Sequence, residues 1–404
     1  MSGAGYGTKR SHLELLQEFS IPLILGVVVA MCWANLEPAA YDRLMHASPF
    51  GEDSHVSFQF LMNDILMALF FGLAAKEITE SCLPGGALNP PSKAMNPLIG
   101  TLGGVLGPVA VYFLWVALTN DPSIGHGWGI PTATDIALAW LVARIVFGKG
   151  HPAVQFLLLL AVVDDGIGLG IIAVFYPDSE HPVEPAWLLL VGAAIGMAFA
   201  LRRANVRSFW PYVLTAGVAS WSGLFLAHLH PALALVPVVP FMPNMGCDEG
   251  LYAEESSNIT HTDTMNNFEH FFRTPVDFGL FGFGLANAGV ALASVGNATA
   301  AVLVSLVVGK TVGIFLFSWV GHTLGFKLPD GMNFRALFVA GLTAALGLTV
   351  ALFVAGQAFE GAGDTLAAAK MGALLSILVA PIAVTLGLML RVKAPKTASG
   401  ALSS

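Results

Sequence analysis

Asp164 and Asp165 sit side by side in the middle of the run Gln155–Tyr176, with long apolar stretches on either side. One charge at the centre of a bilayer costs about 2.5–3.5 kcal/mol on insertion scales. Two neighbouring carboxylates at that depth must face a watery cavity, bind a cation or hold protons. A purely structural pair, hydrogen-bonded to adjacent helices, is the plainer alternative, but two adjacent acids are hard to neutralise by packing alone. Carboxylate oxygens can take either a proton or a hard cation, and one oxygen charge cannot serve both at once.

Further chemistry-bearing residues fall in other apolar runs. Ile130-Pro131-Thr132-Ala133-Thr134-Asp135 opens one of them. Pro131 cannot donate to a helix ladder and disfavours helix in the residue before it. The spacing predicts an unwound stretch at membrane depth, with a half-helix starting near Thr134; backbone of that kind survives there only against protein or a cavity. An ordinary cap at the outer surface is the alternative. Lys310 lies within AVLVSLVVGKTVGIFLFSW. An ammonium at that depth needs a partner or sheds its proton, and the carboxylates of 164–165 are the obvious candidates, with snorkelling to the inner surface as the alternative. Gly341, Thr343, Gly347 and Thr349 suit either an interrupted helix crossing the 130–147 segment or plain close packing. Asp64 serves equally as the lining of an access path or as a helix cap. Glu77, Glu269 and His230 fall near segment ends, where a histidine titrates close to neutral pH.

The elements that must carry these residues follow from composition. The chain has 404 residues, 55% hydrophobic and 11% charged, with mean hydropathy +0.73; a soluble domain carries roughly 25% charged residues. The expectation is an all-α membrane protein forming one polytopic domain over 1–404. Runs near 13–35, 58–80, 97–118, 132–147, 152–176, 185–203, 208–220, 221–241, 268–290, 297–321, 333–358 and 366–392 give about twelve transmembrane helices. The seventh and eighth are separable only by the weak break at Trp221-Ser222-Gly223. With the N-terminus inside, the basic residues gather on the inner ends, among them Lys76, Arg144, Arg202, Arg203, Arg273 and Lys393. Arg43 and Lys370 fall outside, and Lys310 is the one lysine well within a span. Both ends, 1–12 and 394–404, are thus expected in the cytoplasm. The loop 242–267 is acidic and polar. Segments three to five and ten to twelve form a faint repeat, as in inverted-topology transporters. Cys32, Cys82 and Cys247 suggest neither a disulfide framework nor a zinc site, and a net charge of −8 does not indicate a nucleic-acid partner.

Five motifs in order, MNDILMALFF at 62–71, PTATDIALA at 131–139, FLLLLAVVDDGIG at 156–168, ANAGV at 286–290 and GKTVGIFLFSW at 309–319, resemble the NhaA-type sodium/proton antiporter family over about residues 15–393. The resemblance implies that Asp165 is the principal cation ligand. It implies that Asp164 pairs with Lys310 and exchanges that partner during transport, with Na⁺ at Asp165, Asp164 and Thr134. Thr134 and Asp135 would sit where two interrupted helices cross, balancing their dipole ends. Asp64 matches an acid in the second span, Glu77 and Glu269 match a cytoplasmic funnel, and His230 matches a histidine tied to pH response. Two features depart from the family pattern: the long acidic loop 242–267, and Ser81 where a further acid would be expected.

The implied activity is exchange of Na⁺ or Li⁺ for H⁺ across a bacterial inner membrane, electrogenic and pH-regulated, with no cofactor and with lipid as the surroundings. The outer loop 36–57 is compatible with a homodimer without demanding one. A sodium-driven symporter of organic anions would need more cationic or polar ligands than Lys310. An intramembrane aspartyl protease would need a Gly-x-Gly-Asp signature, which is absent, and would leave Lys310 without a role.

Overall fold

The structure, a computed structural model, describes residues 21–47, 56–84, 86–89, 91–177, 182–244 and 263–393. The expected cytoplasmic ends 1–12 and 394–404, together with Cys247 and the acidic stretch Asp248–Glu255, lie outside the described residues. Among the described residues every regular element is helical. In chain order these are α1 (Ile21–Leu36), the short α2 (Pro38–Met45), α3 (Phe58–Cys82), α4 (Pro91–Thr119), a 3-10 segment (Pro122–Thr132), α5 (Ile136–Phe147) and α6 (Pro152–Phe175). There follow α7 (Pro185–Arg203), α8 (209–226), α9 (Thr264–Asn287), α10 (Asn297–Thr323), α11 (Phe334–Thr343), α12 (Thr349–Ala358) and α13 (Gly363–Met389).

Local chemistry sets the helix starts. Ser57, Asp135, Asp263 and Asn333 each accept a backbone N–H of the first turn of α3, α5, α9 and α11, and His151 does the same for α6 ahead of Pro152. Six of the helices are long and apolar enough to cross a bilayer alone; the pair formed by the 3-10 segment and α5 reaches that length only together, bent by 59°. Large apolar side chains point outward along them, Leu118 at 74% and Leu189 at 78% exposed, as surfaces facing lipid should.

The helices sort into two groups. One contains α4, the 3-10 segment with α5, α6, α10, α11 with α12, and α13. Its seam is the pair α4 and α10, whose backbones meet at Gly103, Gly107, Gly309 and Gly313; a methyl group at any of these would strike the opposite backbone. The other group contains α1, α3, α7, α8 and α9, with its own apolar core around Phe209, Tyr212, Phe268 and Phe272. α3 and α9 face α6 and α12 across the junction between the groups.

Three expectations change. The eighth segment, 221–241, is not a spanning helix: α8 ends at Leu226, His228 takes a left-handed backbone (φ 58°), and Pro231, Pro237 and Pro240 hold the rest in short 3-10 turns. The fourth segment starts ten residues earlier than 132, at Pro122. Lys310 is not the one lysine within a span, because Lys76 in α3 and Lys370 in α13 are buried too.

Candidate functional site

The 3-10 segment ends at Thr132, residues 133–135 are extended, and α5 begins at Ile136. α11 ends at Thr343 and α12 begins at Thr349. The two breaks lie against each other, as the interrupted-and-crossing expectation required, and Asp135 is a buried cap rather than one at the outer surface. The Asp135 N–H donates to the Leu346 carbonyl at 2.7 Å, and the Thr134 hydroxyl reaches the Ala344 carbonyl at 3.0 Å. At Gly347 a Cβ would come within 3.0 Å of the Ala133 carbonyl, so a side chain there would press the two chains apart. Ser376 of α13 braces the same peptide, its hydroxyl 3.0 Å from the Gly347 carbonyl.

Asp135 occupies the positive side of this crossing. Its Oδ1 accepts the Leu138 N–H of α5, and its Oδ2 accepts both the Thr349 N–H at 3.2 Å and the Thr349 hydroxyl at 2.5 Å at the start of α12. One carboxylate therefore meets two helix N-termini, where negative charge is favoured. Thr349 is a hydrogen-bond partner of Asp135 that the sequence offered only as part of a glycine- and threonine-rich pattern.

α6 places Asp164 and Asp165 near its middle, facing the crossing. Asp164 is 1% exposed and Lys310 is 0% exposed. The Lys310 Nζ donates to Asp164 Oδ2 at 2.6 Å and also to the Thr132 carbonyl at the end of the 3-10 segment. The Thr134 hydroxyl reaches the same Asp164 oxygen at 2.8 Å. Lys310 ends a π-helical turn, Ser305–Lys310, an irregularity frequent at functional sites.

Asp165 differs from its neighbour. It lines a cavity of about 140 Å³ between the two helix groups, walled by Phe70, Glu77 and Ile78 of α3, Glu269, Arg273 and Asp277 of α9, Thr134 to Ala137 at the crossing, and Thr349. That room suffices for several waters. Asp165 is 8% exposed, and its Oδ1, like the Oδ1 of Asp164, is buried without a hydrogen-bond partner; only Asp165 of the two lines the cavity. Among the described residues no group of three or more His, Cys, Asp or Glu is arranged to hold a metal ion.

The remaining expected residues divide. Glu77 and Glu269 line the cavity, and both face Lys76: Glu77 at 3.9 Å, Glu269 in direct contact, with Glu80 beside them at 2.5 Å. Asp64 does not line this cavity. It is not the cap of α3 either, a role held by Ser57, but it stands in a π-helical turn, Leu61–Leu66. His230 is also outside the cavity; its Nε2 contacts the Tyr176 carbonyl and its ring meets Phe353 edge-on. Tyr176 in turn ties its hydroxyl to Gly129 N–H and the His126 carbonyl, so His230 belongs to a brace of the 3-10 segment. At that segment's start, hydrogen bonds from Ser123 and Asn297 hold the Asp121 carboxyl below its usual range. Sequence reasoning missed Asp277, Lys76 and Glu80: Lys76 and Glu80 read as ordinary charges near a segment end, whereas Asp277 lies well inside the predicted 268–290 run, where its acid in apolar surroundings was the available signal.

Comparison with known proteins agrees with this geometry. Residues 11–389 match the family model described as Na⁺/H⁺ antiporter 1. The chain is similar to proteins named Na⁺/H⁺ antiporter NhaA from Geobacter metallireducens, 59% identical, and Geobacter sulfurreducens, 57% identical; each match covers 95% of this chain and 99% of the relative. Its fold is similar to that of the sodium proton antiporter MjNhaP1 from Methanocaldococcus jannaschii, solved at pH 8, with a TM-score of 0.52 and 14% identity over 94% of both chains. The chain is therefore a multi-pass membrane protein that belongs to the Na⁺/H⁺ antiporter 1 family.

Proposed function

We propose that this antiporter couples Na⁺ to H⁺ by competition for Asp165. The observation that carries the reading is the buried Asp165 oxygen without a hydrogen-bond partner, lining a cavity wide enough for water. A proton on Asp165 removes the charge that Na⁺ needs, and bound Na⁺ excludes the proton, so one site suffices to link the two flows. Asp164 then acts as the adjustable second ligand. While Lys310 holds it, it is unavailable; when Na⁺ enters between Asp164, Asp165 and Thr134, Lys310 gives up that partner and either carries or releases a proton.

The cavity between the two helix groups supports alternating access, in which one group moves against the other around this site. The two interrupted helices, one in each set of three segments, support the inverted-repeat reading. Exchange of two protons for one Na⁺ would make the cycle electrogenic. The basic residues at the end that carries Arg144, Arg202 and Arg203 support a bacterial inner-membrane location with that end in the cytoplasm. On this assignment the cavity lined by Glu77, Glu269 and Arg273 is the inward funnel, and pH regulation acts there and at His230. Li⁺, with the same hard-cation chemistry, is the second transported ion.

The test is proton movement in proteoliposomes after Na⁺ addition, read with a pH-sensitive dye. Wild type dequenches the dye and Asp165→Asn does not. A wild type without a Na⁺ response between about pH 6 and 9, the range bracketing histidine and raised carboxylates, would remove the basis for the reading. Net current on a supported membrane tests electrogenicity; active protein without current contradicts it.

A further inference from the structure

We propose that Asp277 is a second cation-binding carboxylate in the inward cavity, on which an entering Na⁺ or Li⁺ rests before it reaches Asp165. This rests on the antiport reading above. Asp277 lies on α9 two helical turns beyond Glu269 and lines the same cavity as Asp165.

Five acids line the cavity wall, and three of them are already engaged. Asp135 is taken up by the N-termini of α5 and α12. Glu269 is bound to Lys76, and Glu77 faces the same ammonium at 3.9 Å. Asp165, more than nine-tenths buried and lining the cavity, keeps an oxygen without a hydrogen bond. Asp277 is the other acid left over: among the described residues nothing hydrogen-bonds or ion-pairs to it, and Arg273 and Glu269 act on it only through their fields. An acid inside a spanning helix is expensive to keep without a function.

The physical role follows from the setting. A carboxylate in a cleft with low-dielectric walls raises the local concentration of cations. Arg273, one turn before it on the same helix and in the same wall, opposes it, so an ion is attracted without being trapped. Transit through a charged path needs binding strong enough for entry and weak enough for exit. Asp277 thus sets how readily Na⁺ arrives, while Asp164, Asp165 and Lys310 set the exchange itself.

The experiment is a Na⁺ titration of proton release in proteoliposomes for wild type, Asp277→Asn, Asp277→Glu and Arg273→Gln. Asp277→Asn should raise the Na⁺ KM by roughly tenfold, the lower end of what a charged cleft contributes. Its maximal rate should stay within about twofold, the pattern of lost binding rather than lost chemistry. Asp277→Glu should recover most of the wild-type KM, and Arg273→Gln should lower it. Li⁺ should repeat the series. An unchanged KM in Asp277→Asn overturns the proposal, as does a lower maximal rate at constant KM that Glu does not restore. If Asp277→Asn does not fold, an unmoved KM in both Asp277→Glu and Arg273→Gln overturns it. A wild type without Na⁺-driven proton release overturns the antiport reading itself, which is a separate outcome.

Discussion

Lys310 and Lys76 are both fully enclosed, but Lys310 has one carboxylate and a backbone carbonyl, whereas Lys76 has three carboxylates around it. The Lys310 pair lies inside one helix group, beside a second acid, Asp165, whose oxygen has no hydrogen bond. The Lys76 cluster joins α3 to α9 within the other group and is over-supplied with negative charge. A buried charge with one partner changes state when that partner is drawn away. A buried charge with three partners stays put when any one of them is lost. The first arrangement suits a group that is handed over during transport, and the second suits a fixed clasp beside the funnel.

Lys310→Ala should have the largest effect. Removing one partner of a buried pair costs about 3–5 kcal/mol, because the other charge is left stranded. The variant should lose transport and show a clearly lower Tm in detergent; a wild-type Tm would mean that Asp164 does not depend on Lys310. Thr134→Ala comes next. It removes the hydroxyl that reaches Asp164 at 2.8 Å, a hydrogen bond to a charged group worth about 1.5–3 kcal/mol. The expected result is a Na⁺ KM raised about tenfold, the equivalent of 1.4 kcal/mol; Thr134→Ser should restore it, and an unmoved KM would remove Thr134 from the site.

Glu80→Gln probes the other cluster. Lys76 keeps Glu269 and Glu77, so the loss should be only about 1 kcal/mol, the net worth of an ordinary hydrogen bond. Chemical unfolding measures it, and a loss as large as that of Lys310→Ala would erase the distinction between the two lysines. The smallest effect is at His151, which caps α6 by accepting the Ala153 N–H. Burial holds its pKa below the ordinary 6.5. Its folded value is therefore lower than its unfolded one, and the unfolded chain binds the proton more readily between the two. Stability contributed by this group rises with pH through that window and is complete above about 6.5. His151→Asn keeps a cap acceptor but does not titrate, so it should flatten the Tm-versus-pH curve below pH 6.5; an unchanged slope would show that His151 does not contribute.

Much of the candidate site is legible in one dimension because it violates the membrane's rules. Asp164, Asp165 and Lys310 stand out as charges in apolar runs, and Pro131 ahead of Thr134 and Asp135 marks backbone that cannot continue as a regular helix. These signals need no partner to be read. Lys76 carries no such mark, since a charge near a segment end is ordinary; Asp277 does stand inside an apolar run, but without a neighbouring acid or proline to single it out. Their importance comes from α3 packing against α9 and both against the crossing. Thr349 is intermediate: the sequence offers it within a glycine- and threonine-rich pattern that close packing would equally explain, and its role is read only when Asp135 is found at its N–H. The eighth span fails for a local reason, since the apolar content of 221–241 satisfies a hydropathy window while three prolines forbid the helix. Asp64 and His230 match a family pattern by position, but the fold puts both outside the Asp165 cavity.

The central claim is that Na⁺ and H⁺ compete for Asp165. Calorimetric titration of the purified protein with Na⁺ in buffers of different ionisation enthalpy tests it most directly, for wild type and Asp165→Asn. Competition predicts that Na⁺ binding releases protons, so that the measured heat varies with the buffer, and that Asp165→Asn shows no such binding. Na⁺ binding with the same heat in every buffer, or wild-type binding by Asp165→Asn, would contradict the account.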